Sequence, residues 1–155
     1  MSGLPSTREM EQAVERRDAS YDGIFFVGVR TTGIFCRPSC PAKTPLARNR
    51  QYFATAAEAI FAGYRPCKRC RPLDTNGRAP GWAQRLLSEV EQTPMGRLTD
   101  ADLRTMKIDP ARARRYFLKH YGMTFHAYCR GRRMGKALEQ IRQGVPLDDV
   151  ALGYG

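Results

Sequence analysis

The feature that most constrains how this chain can fold is the spacing of four of its five cysteines. Cys36 and Cys40 are separated by three residues, Cys67 and Cys70 by two, and 26 residues lie between the two pairs. Each pair spans a short turn, so its two sulfurs can converge on one ion at about 2.3 Å. Two close pairs separated by a small subdomain are typical of a tetrahedral, all-thiolate zinc site. The spacing therefore predicts that these four cysteines bind zinc.

The remaining composition favours a reduced, aqueous environment. Among the 155 residues there is no apolar stretch long enough to cross a bilayer, and the N-terminus lacks the apolar core of a secretion signal. We therefore expect a cytoplasmic protein without a membrane partner, in a compartment where thiols stay reduced. The odd number of cysteines also argues against full disulfide pairing. Cys129 has no close cysteine partner and is expected to be a small buried residue rather than a ligand.

Positive charge is concentrated around the cysteines. The chain carries a net charge of +11, which favours a polyanionic partner, nucleic acid before an anionic membrane. From Arg30 to Arg71 there are nine Lys or Arg residues and one acid, Glu58, so this segment alone carries nine minus one, or +8. A solvated surface does not require such an excess of one sign, whereas binding to a phosphate backbone does.

Two halves of the chain differ in pattern and predict an α+β protein. Residues 1–75 are predicted to form a small zinc-centred α/β domain, and residues 82–155 an all-α domain. The segment 76–81 between them is rich in turn formers and is predicted to be a linker. In the first half we expect a helix over 7–18 capped by Thr7, a strand over 23–30, a return strand over 34–36, and a helix over 55–62 with a Thr55/Glu58 capping box.

The second half predicts a series of helices. They are expected over 82–91, 99–107, 110–121 and 124–142, with a last helix that begins near 146–148. A Thr99/Asp102 capping pattern is expected to start the second of these helices, and Asp109-Pro110 is expected to open the third, which should end at Gly122. The elements 99–107 and 110–121 fit a helix-turn-helix in which the second helix is the recognition helix. A final helix that ends at Gly155 would have little to pack against, so we expect the chain to be a piece of a longer protein.

Two segments around the cysteines resemble a known family. The segment from Arg30 to Cys40 reads RTTGIFCRPSC, and the segment from Gly63 to Cys70 reads GYRPCKRC. Both closely resemble the two signature segments of the Ada family, bacterial adaptive-response proteins that repair methyl phosphotriesters in DNA and regulate transcription. The resemblance covers about residues 5–75. Residues from about 82 onward resemble, more loosely, the AraC-type helix-turn-helix domain of that family, here truncated at its C-terminal end.

The resemblance implies a chemical role for one of the ligands. Cys36 is implied to be both a zinc ligand and the acceptor of a methyl group from the DNA backbone, in a reaction that each molecule performs once. It also implies that methylation raises DNA affinity and activates transcription of alkylation-repair genes, with RNA polymerase as a further partner. We expect a monomer, since no heptad pattern suggests a coiled-coil dimer.

Candidate DNA contacts fall in both halves. By position, the resemblance implies backbone contacts near the damaged phosphate from Thr32, Lys43, Arg65, Lys68 and Arg69. On the predicted recognition helix, the candidates that suit guanine edges and phosphates are Arg112, Arg114, Arg115 and Lys119. The alternative is that the first group are ordinary solvated residues and that the helix is a basic amphipathic helix that binds nothing specific.

Two other functions stay open at this stage. Closed four-cysteine sites are usually structural, so the chain could be a DNA-binding transcription regulator whose zinc performs no chemistry. A thiol redox sensor is a third interpretation, although it does not require a basic surface.

Overall fold

The computed structural model describes residues 3–74, 79–92 and 98–154 of the chain. Contacts divide the chain into two compact units, Met1–Thr75 and Asn76–Gly155. Residues 76–78 of the predicted linker lie outside the described residues, and the first helix of the second unit begins at Gly81. No helix in the described part of the chain combines the length and apolar character needed to span a membrane.

The first unit is built on a small mixed sheet. Its elements are α1 (Thr7–Arg16), β1 (Phe26–Val29), β2 (Ile34–Cys36), β3 (Arg50–Phe53), α2 (Ala56–Phe61) and β4 (Arg65–Pro66). The strand order is β3-β1-β2-β4; β1 is antiparallel to both β2 and β3, whereas β2 and β4 are parallel. The mixture of sheet and helices confirms the predicted α+β class, while β3 and β4 were not predicted.

Local capping explains the helix boundaries and corrects two expectations. The cap of α1 is Ser6, whose hydroxyl accepts from the amide of Glu9, so the expected Thr7 cap was wrong by one residue. Thr55 caps α2 as predicted and accepts from the amide of Glu58 at 3.1 Å. The Glu58 carboxylate, however, accepts from the amide of Ala54 and not of Thr55, so the predicted capping box is only half formed.

The core of the first unit joins α1 to the sheet and to two of the cysteines. Met10, Ala13 and Val14 on one face of α1 form a buried cluster with Phe25, Val27, Cys36 and Cys67. On β1, a Cβ at Gly28 would lie 2.9 Å from the Tyr64 ring, so glycine is needed for that ring to pack against the strand. The cysteines are therefore part of the hydrophobic core and not appended to it.

The second unit consists of helices, as predicted. They are α3 (Gly81–Gln92), α4 (Asp100–Thr105), α5 (Pro110–Tyr121), α6 (Phe125–Arg142) and α7 (Leu147–Tyr154). Thr99 and Asp102 form the predicted capping box of α4, and Asp109 caps α5 with Pro110 at its first position. Gly122 ends α5 in the left-handed region at φ 71°, a conformation that costs a residue with a side chain about 1–2 kcal/mol.

An ion pair inside the second unit ties α3 to α6. The guanidinium of Arg132, whose side chain is 4% exposed, donates to the carboxylate of Glu91 at 2.7 and 3.3 Å. Lys136, one turn further along α6, donates to the carbonyls of Val90 and Glu91 at the C-terminal end of α3. A cation at this position donates to the terminal carbonyls of the helix and interacts favourably with the negative end of the helix dipole.

We expect Glu91→Ala to lower the free energy of unfolding of the second unit by about 2 kcal/mol, because it leaves the buried Arg132 guanidinium without its partner. Urea unfolding can be followed by the fluorescence of Trp82, the only tryptophan in the chain, which packs edge-on against Tyr116 at 5.1 Å. Glu139→Ala, which removes an exposed carboxylate from α6, is the matched control. Equal unfolding midpoints for the two variants would contradict this account of the pair.

Candidate metal centre

Strand pairing brings the two cysteine pairs together. Cys36 is the last residue of β2, and Cys67 directly follows β4, which lies parallel to β2. The amide of Cys67 donates to the carbonyl of Phe35 at 3.0 Å, so the two cysteines leave adjacent strands side by side. A turn then returns the chain to Cys40 in one pair and to Cys70 in the other. All four sulfurs consequently converge at one edge of the sheet.

The geometry of the four sulfurs fits a zinc ion. The Sγ atoms of Cys36, Cys40, Cys67 and Cys70 all lie within 4.8 Å of one another, and those of Cys40 and Cys67 are 3.9 Å apart. Tetrahedral zinc with bonds of about 2.3 Å requires sulfurs separated by roughly 3.8 Å. A disulfide would require about 2.05 Å, and all five cysteines are free. The four thiols therefore form a zinc site, as predicted, and Cys129 lies buried in the other unit.

The protonation of the cluster shows why it needs a cation. A hydrogen bond to Cys70, reinforced by burial, raises the pKa of Cys36 far above its ordinary value. The same hydrogen bond lowers the pKa of Cys70 to about 6, and burial raises the pKa of Cys40 to about 11. Four negative sulfurs cannot be this close together unless a cation neutralises them, so zinc binding must release protons.

Two side chains that the sequence did not single out hold the cysteine turns in place. The carboxylate of Asp22 accepts from the amide of Ser39 at 3.2 Å and from its hydroxyl at 2.5 Å, which fixes the turn between Cys36 and Cys40. The guanidinium of Arg37 donates to the carbonyls of Arg71 and Asp74, directly after the second pair. Nothing in the local sequence marks Asp22 for this role, since its partner lies 17 residues away.

Only part of the basic segment around the cysteines is available to bind an anion. Arg50 is buried, pairs with Glu15 at 3.6 Å and donates to the carbonyl of Pro45. Arg37 is half-buried and engaged as described above. These two cations stabilise the first unit, so the charge of +8 counted in the sequence overstates what this surface can offer to a partner.

The predicted backbone contacts divide into two groups. Thr32 and Lys43 are exposed and line a surface cavity of about 490 Å³ together with Cys36, Cys40 and Cys67. Lys68 and Arg69 are exposed on the turn between Cys67 and Cys70, and Arg65 is half-buried on β4. The structure thus brings Thr32 and Lys43 to the same cavity as Cys36, whereas the other three do not line it.

On the predicted recognition helix, α5, the basic residues are exposed. Arg114, Arg115 and Lys119 face solvent. Arg112 is also exposed, but its guanidinium lies 4.5 Å from the centre of the Trp82 ring, a cation–π contact within the unit. Of the two adjacent aromatic residues on α5, Phe117 is fully buried and Tyr116 is only half-buried.

Because Asp22 fixes a ligand-bearing turn, we expect Asp22→Asn to weaken zinc binding by about tenfold, the lower end of the usual effect of residues that support metal ligands. The wild-type chain should bind one zinc ion, measured by competition with a chromophoric chelator. Asp18→Asn is the matched control: Asp18 also accepts from the amide and hydroxyl of a serine, Ser20, but outside the cysteine turns. Unchanged zinc affinity in Asp22→Asn would show that Asp22 does not support the site.

Comparison with known proteins agrees with this site. The family described as the metal binding domain of Ada matches residues 9–73. The regulatory protein ada of Salmonella typhimurium (strain LT2) is 38% identical over 141 residues, which cover 86% of this chain and 38% of that protein. The bifunctional transcriptional activator/DNA repair enzyme Ada of Escherichia coli (strain K12) is 36% identical, over 93% of this chain and 41% of its own length.

A third relative matches over most of its own length. The chain spans only about two fifths of the two relatives above. The bifunctional transcriptional activator/DNA repair enzyme AdaA of Bacillus subtilis (strain 168), in contrast, is 33% identical over 153 residues, which cover 96% of this chain and 72% of that protein. Similarity of this extent, together with four cysteines that converge on one metal site, shows that the chain belongs to the Ada family.

Proposed function

We propose that this chain removes the methyl group from methyl phosphotriesters in DNA by transferring it to the Sγ atom of Cys36. The observation that carries the proposal is a zinc-binding thiol cluster that opens into a surface cavity with Lys43 and Thr32 among its lining residues. A purely structural zinc site needs neither an accessible sulfur nor a cation beside it. Relatives named as DNA repair enzymes and transcriptional activators support the same conclusion.

The contacts of the sulfurs narrow the choice of nucleophile. Backbone amides donate to Cys70 (from Arg37, at 3.3 Å) and to Cys40 (from Ala42), and such bonds withdraw charge from the sulfur. In the described part of the chain, no backbone amide is paired with Cys36. Cys36 and Cys67 both line the cavity, and the resemblance of the segment around Cys36 to the family signature selects Cys36 as the acceptor.

The reaction is a single in-line displacement at the methyl carbon. When zinc is bound, it keeps the four sulfurs deprotonated at neutral pH. The Cys36 thiolate attacks the methyl carbon from the side opposite the bond that joins this carbon to the phosphate oxygen. The S–C bond forms as the C–O bond breaks, and the electron pair of the C–O bond leaves with the phosphodiester anion. The product is S-methylcysteine, so each molecule reacts once.

Polar and basic side chains near Cys36 and on α5 bind the DNA. Lys43 and Thr32 lie at the cavity, where an ammonium and a hydroxyl suit the phosphate oxygens that flank the methylated one. Lys68, Arg69 and Arg65 extend positive charge along the second cysteine pair. In the helical unit, α4 and α5 act as a helix-turn-helix at promoter DNA through Arg112, Arg114, Arg115 and Lys119, with α5 in the major groove.

The same reaction also acts as an electrostatic switch. Four thiolates on one divalent cation carry a net charge of two negative units, and methylation of Cys36 reduces this to one. Less repulsion then opposes the DNA phosphates, so methylation raises DNA affinity and converts the protein into an activator of alkylation-repair genes, with RNA polymerase as its partner. The chain acts as a cytoplasmic monomer.

Incubation of the zinc-loaded chain with methyl-phosphotriester DNA should add one methyl group, which intact mass and peptide mapping will place on Cys36. Cys129→Ala should react as the wild type does, since Cys129 lies buried in the other unit, and Cys36→Ser should not react. An unchanged mass with zinc bound would reduce the chain to a zinc-containing DNA-binding module. A methyl group on another cysteine would preserve the function and refute the assignment of Cys36.

Methylation should raise the affinity for a duplex that covers the promoter of an alkylation-repair gene by roughly tenfold, because one negative charge close to the phosphates is lost. The two forms are compared by fluorescence anisotropy at a single salt concentration, since phosphate contacts make all such affinities salt-dependent. After incubation with the same methyl-phosphotriester DNA, the Cys129→Ala variant should show an equal rise in affinity for the promoter duplex. Equal affinities before and after transfer to Cys36 would rule out the switch.

A further inference from the structure

The cavity beside Cys36 is far larger than a methyl group. Its volume is about 490 Å³, which lies within the range of about 300–1,000 Å³ found for pockets that bind small molecules. A methyl group occupies about the space of a water molecule, roughly 30 Å³. Even with phosphate oxygens bound at Thr32 and Lys43, the cavity next to the reactive sulfur is larger than one methyl group requires.

The lining of the cavity is mainly apolar. Val14 and Val27 belong to the buried core cluster that also contains Cys36 and Cys67, and they line the same cavity as these thiols. Val29, Ile34 and Leu46 extend the apolar lining, and Leu46 is 55% exposed. Thr32 and Lys43 add a hydroxyl and a positive charge. The cavity thus suits a ligand with an alkyl part against the wall and a phosphate part at the polar residues.

The stereochemistry of displacement leaves room for a longer alkyl chain. The sulfur, the attacked carbon and the leaving oxygen lie on one line, so any carbon beyond the attacked one projects sideways from that line. Apolar side chains line the cavity beside Cys36, and burial of each additional methylene against them would be favourable. A longer chain therefore need not block the approach of the sulfur to the attacked carbon.

We propose that this cavity is an alkyl subsite, through which Cys36 accepts ethyl and n-propyl groups, as well as methyl groups, from DNA phosphotriesters. This inference rests on the proposed function, since it concerns the same nucleophile. The bond changes are those of methyl transfer: an S–C bond forms to the first carbon of the alkyl group, its C–O bond breaks, and the electron pair leaves with the phosphodiester anion. A neutral triester and a thiolate become a neutral thioether and an anionic diester.

The test compares three duplexes that differ only in carrying one methyl, ethyl or n-propyl phosphotriester at the same position. The zinc-loaded chain is incubated with each, and intact mass and peptide mapping follow the adduct on Cys36 with time. We expect all three adducts on Cys36, with slower transfer of the longer groups because displacement at a substituted carbon is intrinsically slower. Methyl transfer without any ethyl transfer would overturn the alkyl subsite and leave the proposed function intact, whereas failure of all three would overturn both.

A variant that fills the cavity tests its location. Ala42 lines the cavity, and its backbone carbonyl accepts from Arg17, a bond that a larger side chain does not remove. Ala42→Leu should lower the ratio of the ethyl to the methyl transfer rate by about 10- to 200-fold, the usual discrimination for one methylene in an apolar pocket. Ala62→Leu, an exposed position at the end of α2, is the matched control and should leave the ratio unchanged. An equal ratio in both variants would show that the alkyl chain does not lie in this cavity.

Discussion

Convergence of four thiols on one point is the constraint on which the first unit depends. Sulfurs within 4.8 Å of one another cannot all be negative without a cation, so folding of this unit and zinc binding are linked. The dependence is strong because Cys36 and Cys67 also belong to the hydrophobic core with Val14 and Val27. In a unit of about 75 residues, which buries little apolar surface, a metal site of this kind supplies stability that the core alone would not.

Positive charge serves two purposes in this protein, and burial separates them. Arg37, Arg50 and Arg132 are buried or half-buried, and their guanidinium groups pair with carbonyls or carboxylates of the same unit. Such cations are costly to bury and must be satisfied internally, so they are not available to a partner. The exposed cations, such as Lys43 beside the cavity and Lys68 between two ligands, are those that can meet a polyanion.

Helices were predicted more accurately than strands for a physical reason. The ends of a helix are marked by residues close by in the sequence. The caps of α4 and α5 at Thr99 and Asp109, and the end of α5 at Gly122, lie at the predicted positions. The strands β3 and β4 were missed because their partners are distant in sequence. The strand β4 consists of only Arg65 and Pro66, and what makes it a strand is its parallel pairing with β2, which no local pattern reveals.

The four zinc ligands, the α+β class and membership of the Ada family could be predicted from the sequence, since the spacing of two cysteine pairs and the residues around them are local properties. Three features depend on the folded chain: which basic residues face solvent, the apolar cavity that Thr32 and Lys43 share with Cys36, and the bonds from Asp22 that hold the turn at Ser39. These features depend on which distant segments come into contact. They follow from the packing of β2 against β4 and of α1 against the sheet, and so could not be obtained from the order of residues alone.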